Sequence, residues 1–373
     1  MTIWHSRMAE TADGITDAHV HMGSIADEDR VLAILDATGI RRSALVSIQD
    51  PAAGSGLAQS LYMKARHPDT FFVFAGLNHA AKLSEGRVTA PSLVEQVDTF
   101  VELGCEGIKM IEGKPTSRQT MDIPVTDDYF ADYWAHVAEL GLPIVWHVAD
   151  PEEFWDPATL PAWAQERGWG YGPDDVTKEQ LYAEVDEILA RHPTLHIIFA
   201  HFYFLSADLD RAARFFDAHP TVRFDLTPGI EMLYNMSRDV EATREFFTRY
   251  ADRIVYGTDI SSRQTVDEAR LRAGIVFRWL ETNDVFHVPE AADFLLGQPE
   301  DGVIRGLRLP DEVLTRIYHD NFAELAGETP RPLQTDLAIA TCEELAAIAE
   351  AMSSTPAAGT EAGRVARMLA ADV

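Results

Sequence analysis

The chain has 373 residues, 46% of them hydrophobic and 24% charged, which suits one large folded domain with an extension and excludes a disordered chain. Sixty Asp and Glu against 31 Lys and Arg give a formal charge of −29, a field that repels phosphate backbones and anionic lipid and so argues against nucleic-acid and membrane partners. Two distant cysteines, Cys105 and Cys342, suggest no disulfide framework, and the absence of a leader pattern or a long apolar run predicts a soluble cytoplasmic protein.

From Ile15 onward, short β-rich runs alternate with segments of helical periodicity. The first strand is expected over Ile15–Met22 and closes on Asp17-Ala-His19-Val-His21, beside Gly23. Alternate residues of a strand point the same way, so His19 and His21 share a face and can converge on one cation. A helix over Asp27–Thr38, strands over Ser43–Ile48 and Phe71–Leu77, and a helix over Ser92–Leu103 follow. The fourth strand, Gly107–Ile111, carries Lys109 near its end, with Glu112 as a candidate carboxylate partner.

After a helix over Asp127–Leu140, the fifth strand, Pro143–Val148, ends in Trp146-His147. The stretch Asp150–Val176 is rich in Trp, Pro and Gly and too long for an ordinary connection; it is either a lid or pocket wall, or a packed surface excursion. Next come a helix over Lys178–Arg191, a strand over His196–His201, a helix over Asp208–Ala218, a strand over Val222–Leu226 and a helix over Val240–Tyr250. The eighth strand, Arg253–Thr258, runs into Asp259 and is followed by a helix over Asp267–Leu280. Beyond an irregular segment, a helix is expected behind Pro310, and the tail from Glu328 holds another at Asp336–Met352, then the flexible-looking SSTPAAGTEAG.

Eight strands, each followed by a helical segment, predict parallel strands with right-handed crossovers. An open doubly wound sheet has the same alternation. However, His and Asp recur at the C-terminal ends of strands one, five, six and eight, and a closed barrel brings those ends to one rim. The expectation is an α/β fold, a (β/α)₈ TIM barrel over residues 1–327, with a C-terminal helical tail over 328–373.

On that rim His19, His21, His147 and Asp259 are candidate metal ligands, and His201 is a ligand or a catalytic group. A lone strand-end histidine reads as a core residue; the repetition is what argues for a site. A buried Asp is costly unless paired or bound to a cation, and there it can also accept a proton from water; the competing role for Asp259 is a helix N-cap. Lys109 and Arg263 are local cations that could fix a substrate carboxylate, with a solvated surface role equally open for Arg263. Trp146, with Trp155 and Tyr203, either lines a planar pocket or belongs to the core. Asp17 reads as structural or as the group that fixes a histidine tautomer.

DAHVHMG, GIKMIEG, WHVAD, FAHF, YGTDI and the closing LPDEVLTRIYHDNFAELAG make the chain resemble the amidohydrolase superfamily over roughly residues 15–327, in the branch that includes aminocarboxymuconate-semialdehyde decarboxylase. The resemblance implies a barrel with one divalent cation held by His19, His21, His147 and Asp259, and His201 beside it, polarising substrate or orienting water. Two-metal members carry a carboxylated lysine on the fourth strand, whereas this branch usually does without it, so Lys109 is expected as an ammonium. Zinc is the first expectation for the metal, with manganese or iron as alternatives. The implied activity is metal-dependent hydrolysis of an amide, ester or lactone in a small, carboxylated substrate, with Asp259 and His201 catalytic. The alternative is metal-dependent decarboxylation of an aromatic or enolic acid; the third reading, a non-catalytic metal-binding barrel, predicts gaps in a ligand set that has none. No phosphate loop or dinucleotide fingerprint appears, and the helical faces leave room for a homodimer.

Overall fold

The structure is a computed structural model and describes residues 4–11, 13–229, 231–292 and 302–371. Part of the irregular segment after Leu280 lies outside those residues. The runs of Ile, Val and Phe form strands β1 Thr16–His21, β2 Arg42–Val46, β3 Phe71–Gly76, β4 Gly107–Gly113, β5 Ile144–Val148, β6 Ile197–Phe199, β7 Val222–Asp225, β8 Ile254–Val255 and β9 Ile260–Ser261. They pair in parallel in the order β8-β7-β6-β5-β4-β3-β2-β1-β9. The expected eighth strand is thus split at Tyr256–Asp259 into β8, against β7, and β9, against β1. Ala18 N donates to Tyr256 O at 2.9 Å across the split, so the ring closes.

Helices cover the outside, and the strands are buried on both faces, as an α/β barrel requires. Alternation sorts each strand. Val145 joins Ala18, Ala44, Val46, Phe72, Phe74, Ile198 and Val255 in the packing inside the ring. Trp146, Phe199, Phe224 and Met110 pack outward in the larger core under the helices. A register shift in β1 between Asp17 and Val20 re-aims that strand just where the two histidines leave it.

Besides short turns of helix such as Pro115–Met121 and Met232–Met236, two longer helices were not foreseen in the sequence. Leu57–Arg66 buries every position from Leu57 to Lys64, including Gln59, Ser60 and Lys64, so it has no polar face to give a 3.6-residue alternation. In the tail, Thr335–Ser353 matches expectation, but the Ala- and Gly-rich stretch after it leads into a further helix, Glu361–Ala371. Its small residues serve close packing: a Cβ on Gly363 would fall 2.0 Å from Ala357 O, and Ala362 N donates to Gly54 O at 3.0 Å. Cys342 and Val365 join the main core, and both cysteines are buried and free. Among the described residues no helix is long and apolar enough to cross a membrane.

Candidate metal centre

The split in the eighth strand is where the candidate site forms. Asp259 occupies the gap with a positive φ of 56°, and its backbone N donates to His19 O at 2.9 Å. Its Oδ1 then lies 3.1 Å from His21 Nε2 and 3.8 Å from His19 Nε2, and one donor atom from each of the three residues falls within 4.8 Å of the others. Donors bonded to one divalent ion at about 2.1 Å sit about 3.0–3.4 Å apart at octahedral or tetrahedral angles, so two imidazoles and a carboxylate at these spacings fit such an ion with small adjustments. Asp259 is not a helix cap; Thr265 caps the helix that follows.

Asp225, at the end of β7, organises the histidines. Its Oδ2 accepts from His19 Nδ1 at 2.8 Å, which leaves the His19 Nε2 lone pair directed at the cluster. Its Oδ1 accepts from His201 N at 2.8 Å, Thr227 N at 3.1 Å and Thr227 Oγ1 at 2.6 Å. With the Thr227 proton committed to Asp225, Thr227 Oγ1 accepts from His201 Nδ1 at 3.1 Å, so His201 Nε2 is left with a lone pair. Sequence reasoning missed Asp225, and of the two roles it left open for Asp17, structural or tautomer-fixing, the structural one holds. Asp17 accepts from Thr258 Oγ1 at 2.6 Å and from the backbone of Thr258 and His19, holding the seam of the barrel together. The signal was present, because FDL at the end of strand seven is a strand-end carboxylate like TDI at the end of strand eight.

Burial sets the protonation states. It pushes His201 down to about 3, helped by the neighbouring His147, so the ring is neutral. Burial, then Lys109, hold His19 well below the usual histidine range. For Asp259 burial acts in the opposite sense, but the hydrogen bond from His21 and the His19 and His201 rings outweigh it and keep the carboxyl well below its ordinary range. Lys109 is lowered to about 8 by burial, against the pull of Asp225, Asp259 and Glu112.

His201 heads a rare backbone segment. His201, Phe202, Tyr203 and Phe204 all have φ between 49° and 57°, one turn of left-handed helix in residues that disfavour it by about 1–2 kcal/mol each. The Asp225 and Thr227 contacts to His201 N hold it at one end, and Tyr182 Oη donates to Tyr203 O at 2.8 Å further on. Backbone strain held by its surroundings is commonest at functional sites.

The remaining predicted residues divide. His147 reaches the rim 4.8 Å, ring to ring, from His201, but its Nε2 faces Ala149 O at 3.0 Å and Asp150 Oδ1 at 3.3 Å, and it stays outside the three-residue cluster. Lys109 is buried, with Nζ 3.2 Å from His19 Nε2, so ammonium and cation would compete for that lone pair. Glu112 pairs with His79 at 2.7 Å, not with Lys109. Trp146 points away from the rim, between Trp134 and Phe199, because it alternates with His147. Tyr203 is likewise core. Arg263 is exposed and lies over Gly23.

Two cavities flank the cluster. One of about 90 Å³ is lined by His147, His201, Asp259, Phe154, Trp163 and Trp169, so the Trp-rich excursion after β5 supplies a pocket wall. Lys114 anchors that wall: its Nζ lies 2.5 Å from Asp150 Oδ1 and over the Trp169 ring, while Tyr171 Oη donates to the other Asp150 oxygen at 2.5 Å. The second cavity, about 250 Å³, lies on the Lys109 side.

A sequence model of the family described as Amidohydrolase matches residues 90–325. No curated protein matches the chain. Among solved structures, the fold is similar to an uncharacterized TIM-barrel protein from Bordetella bronchiseptica, with 15% identity over 84% of this chain and 98% of that one and a TM-score of 0.51. It is also similar to a protein described as amidohydrolase II, with 12% identity over 84% of this chain and 99% of the other and a TM-score of 0.52.

Proposed function

The chain belongs to the amidohydrolase family and is an enzyme of that type, and from this premise we propose that it is a metal-dependent hydrolase cleaving an amide, ester or lactone in a small, carboxylated substrate. The observation that carries this reading is the approach of His19, His21 and Asp259 to within 4.8 Å of one another at a rim that also holds the neutral His201. His19, His21 and Asp259 would hold one divalent cation, zinc first and manganese or iron as alternatives, with His147 as the proposed fourth ligand. When bound, the cation supplies Lewis acidity, polarising the scissile carbonyl and acidifying water.

The chain's own residues do the rest. His201 Nε2 accepts a hydrogen bond from the attacking water and aligns it, because Nδ1 is committed to Thr227. Asp259, kept ionised, takes the proton of that water as the carbonyl carbon becomes tetrahedral and hands it to the leaving nitrogen or oxygen. Lys109 meets the substrate carboxylate from the inner wall. Phe154, Trp163 and Trp169 keep bulk water from the reacting bond.

The test is a panel of carboxylated amides, esters and lactones, followed by proton release. Asp259→Asn should fold like the parent and lose about 10²–10⁴-fold in turnover; full activity in that variant would remove Asp259 from the mechanism. CO₂ release from aromatic acids, with no member of the panel cleaved, would put decarboxylation in the place of hydrolysis.

A further inference from the structure

Lys109 is a buried ammonium with one partner. It is 3% exposed, and among the described residues its Nζ hydrogen-bonds only to His19 Nε2, at 3.2 Å. An ammonium carries three donors, and a cation on that His19 lone pair leaves all three unmatched. A buried charge in that state is costly unless an anion meets it. Lys109 lines the cavity of about 250 Å³, so the approach for such an anion is through that space.

The rest of the wall has little to offer a second charged group. His79 commits Nε2 to Glu112 at 2.7 Å and Nδ1 to Tyr129 Oη at 3.0 Å, and the other Glu112 oxygen accepts from Ile111 N at 2.8 Å. Ser47 Oγ accepts from Gly76 N at 2.8 Å, Gln49 Oε1 accepts from Leu57 N at 2.7 Å, and Thr120 Oγ1 donates to Thr116 O at 3.0 Å. Leu77, Leu83, Ile111 and Met121 supply apolar surface, and Ile48 beside them is 41% exposed. A single ammonium at the cluster end of a cavity whose other charged groups are already paired selects a carboxylate joined to an apolar group.

We propose that the substrate carries its carboxylate on the same carbon as the scissile nitrogen or oxygen, and that an uncharged apolar side chain on this carbon seats against Leu77, Leu83, Ile111 and Met121. That class, N-acyl or O-acyl derivatives of α-amino or α-hydroxy acids with a branched or aromatic side chain, rests on the hydrolytic reading. His201 and Asp259 line the smaller cavity, so the attacked carbonyl and its acyl group lie there and the leaving fragment lies on the Lys109 side. Lys109 Nζ stands 3.2 Å from His19 Nε2, so a carboxylate on the ammonium is within a bond or two of the atom that leaves. Glu112, on the cavity wall, repels a second carboxylate in the side chain.

The test is calorimetric and independent of turnover. The zinc-loaded full chain is titrated near neutral pH with isocaproate, its uncharged amide isocaproamide, the shorter propionate and the amine-ended δ-aminovalerate. Isocaproate should saturate one site, about tenfold or more tighter than the amide, which lacks the charge for Lys109, and than propionate, which lacks the apolar arm. Lys109→Met should abolish the preference for isocaproate over its amide. Leu83→Ser, a change at a half-buried position that the fold tolerates, should shrink the advantage of isocaproate over propionate and leave propionate binding as it was. Isocaproate binding unchanged in Lys109→Met would put the carboxylate on the zinc alone and overturn the proposal. Tighter binding of δ-aminovalerate, which would assign the arm to Glu112, an equal affinity for isocaproate and propionate, or no saturable binding would overturn it as well. Because no bond is cut in the measurement, a chain that hydrolyses nothing can still pass this test, and an active hydrolase can still fail it.

Discussion

Asp225 Oδ2 lies 2.8 Å from His19 Nδ1, while its Oδ1 takes the backbone N–H of His201 and both donors of Thr227. One carboxylate thereby fixes the protonated nitrogen of His19 directly and that of His201 through Thr227. In Asp225→Asn the amide oxygen can keep the three donors on its Oδ1 side, which turns the NH₂ toward His19 Nδ1. His19 must then give up the Nδ1 proton and carry it on Nε2. Such changes typically cost about 10–100-fold in metal affinity or activity. Metal titration of the purified variant checks this, and parental metal affinity would remove Asp225 from the role.

The left-handed turn separates the contribution of the His201 ring from that of its backbone. Glycine adopts a φ near 57° without penalty, whereas alanine does not, so His201→Gly should unfold at higher urea than His201→Ala, by about 1 kcal/mol. Both lose the ring and should lose turnover alike, by about 10²-fold or more. Equal stability of the two variants would show that the segment relaxes to a right-handed form.

Below the rim, Lys64 and Glu106 form an ion pair at 2.6 Å with both side chains fully buried. Glu106 also accepts from Val73 N and Arg331 N, so it ties β3 to the start of the tail. Lys64→Met leaves this carboxylate without a charge partner and should destabilise the fold by about 3–5 kcal/mol in urea unfolding.

Glu28 governs part of the acid sensitivity. Burial would raise its pKa, but donors on Tyr62, Arg66 and His67 at 2.6–2.8 Å outweigh it and lower the carboxyl to about 2 from 4.5. A depressed folded-state pKa contributes stability that is present above the unfolded value and disappears as pH falls from 4.5 toward 2. The gap in melting temperature between the parent and Glu28→Gln should therefore be constant near neutrality and close across that window. A gap that widened on acidification would contradict the assignment.

The barrel was legible because its strands carry apolar runs ended by polar residues, and the strand-end rule found His19, His21 and Asp259, which the fold brings together. It could not tell inward from outward within a strand without knowing where alternation starts, which is why Trp146 stays open between pocket and core in the sequence, and the structure puts it under the helices. His147 reaches the rim as the rule requires, but the position of its ring depends on Ala149 O and Asp150, contacts made after the strand ends and invisible to periodicity. Lys109 was found, but its contact with His19 crosses the barrel and has no local signature. The helix Leu57–Arg66 was hidden by its burial on all sides, and the terminal helix by an Ala and Gly composition that serves close packing.

Two of the seven tryptophans, Trp163 and Trp169, line the cavity beside His201, and the Lys114 ammonium lies 4.7 Å from the centre of the Trp169 ring. Indole emission responds to a nearby charge and to loss of surrounding water. The protein thus carries a built-in optical reporter at its own doorway, and a compound library can be screened by fluorescence before any substrate is known. Trp169→Phe would remove the share of the signal that senses Lys114 while leaving an aromatic ring in place.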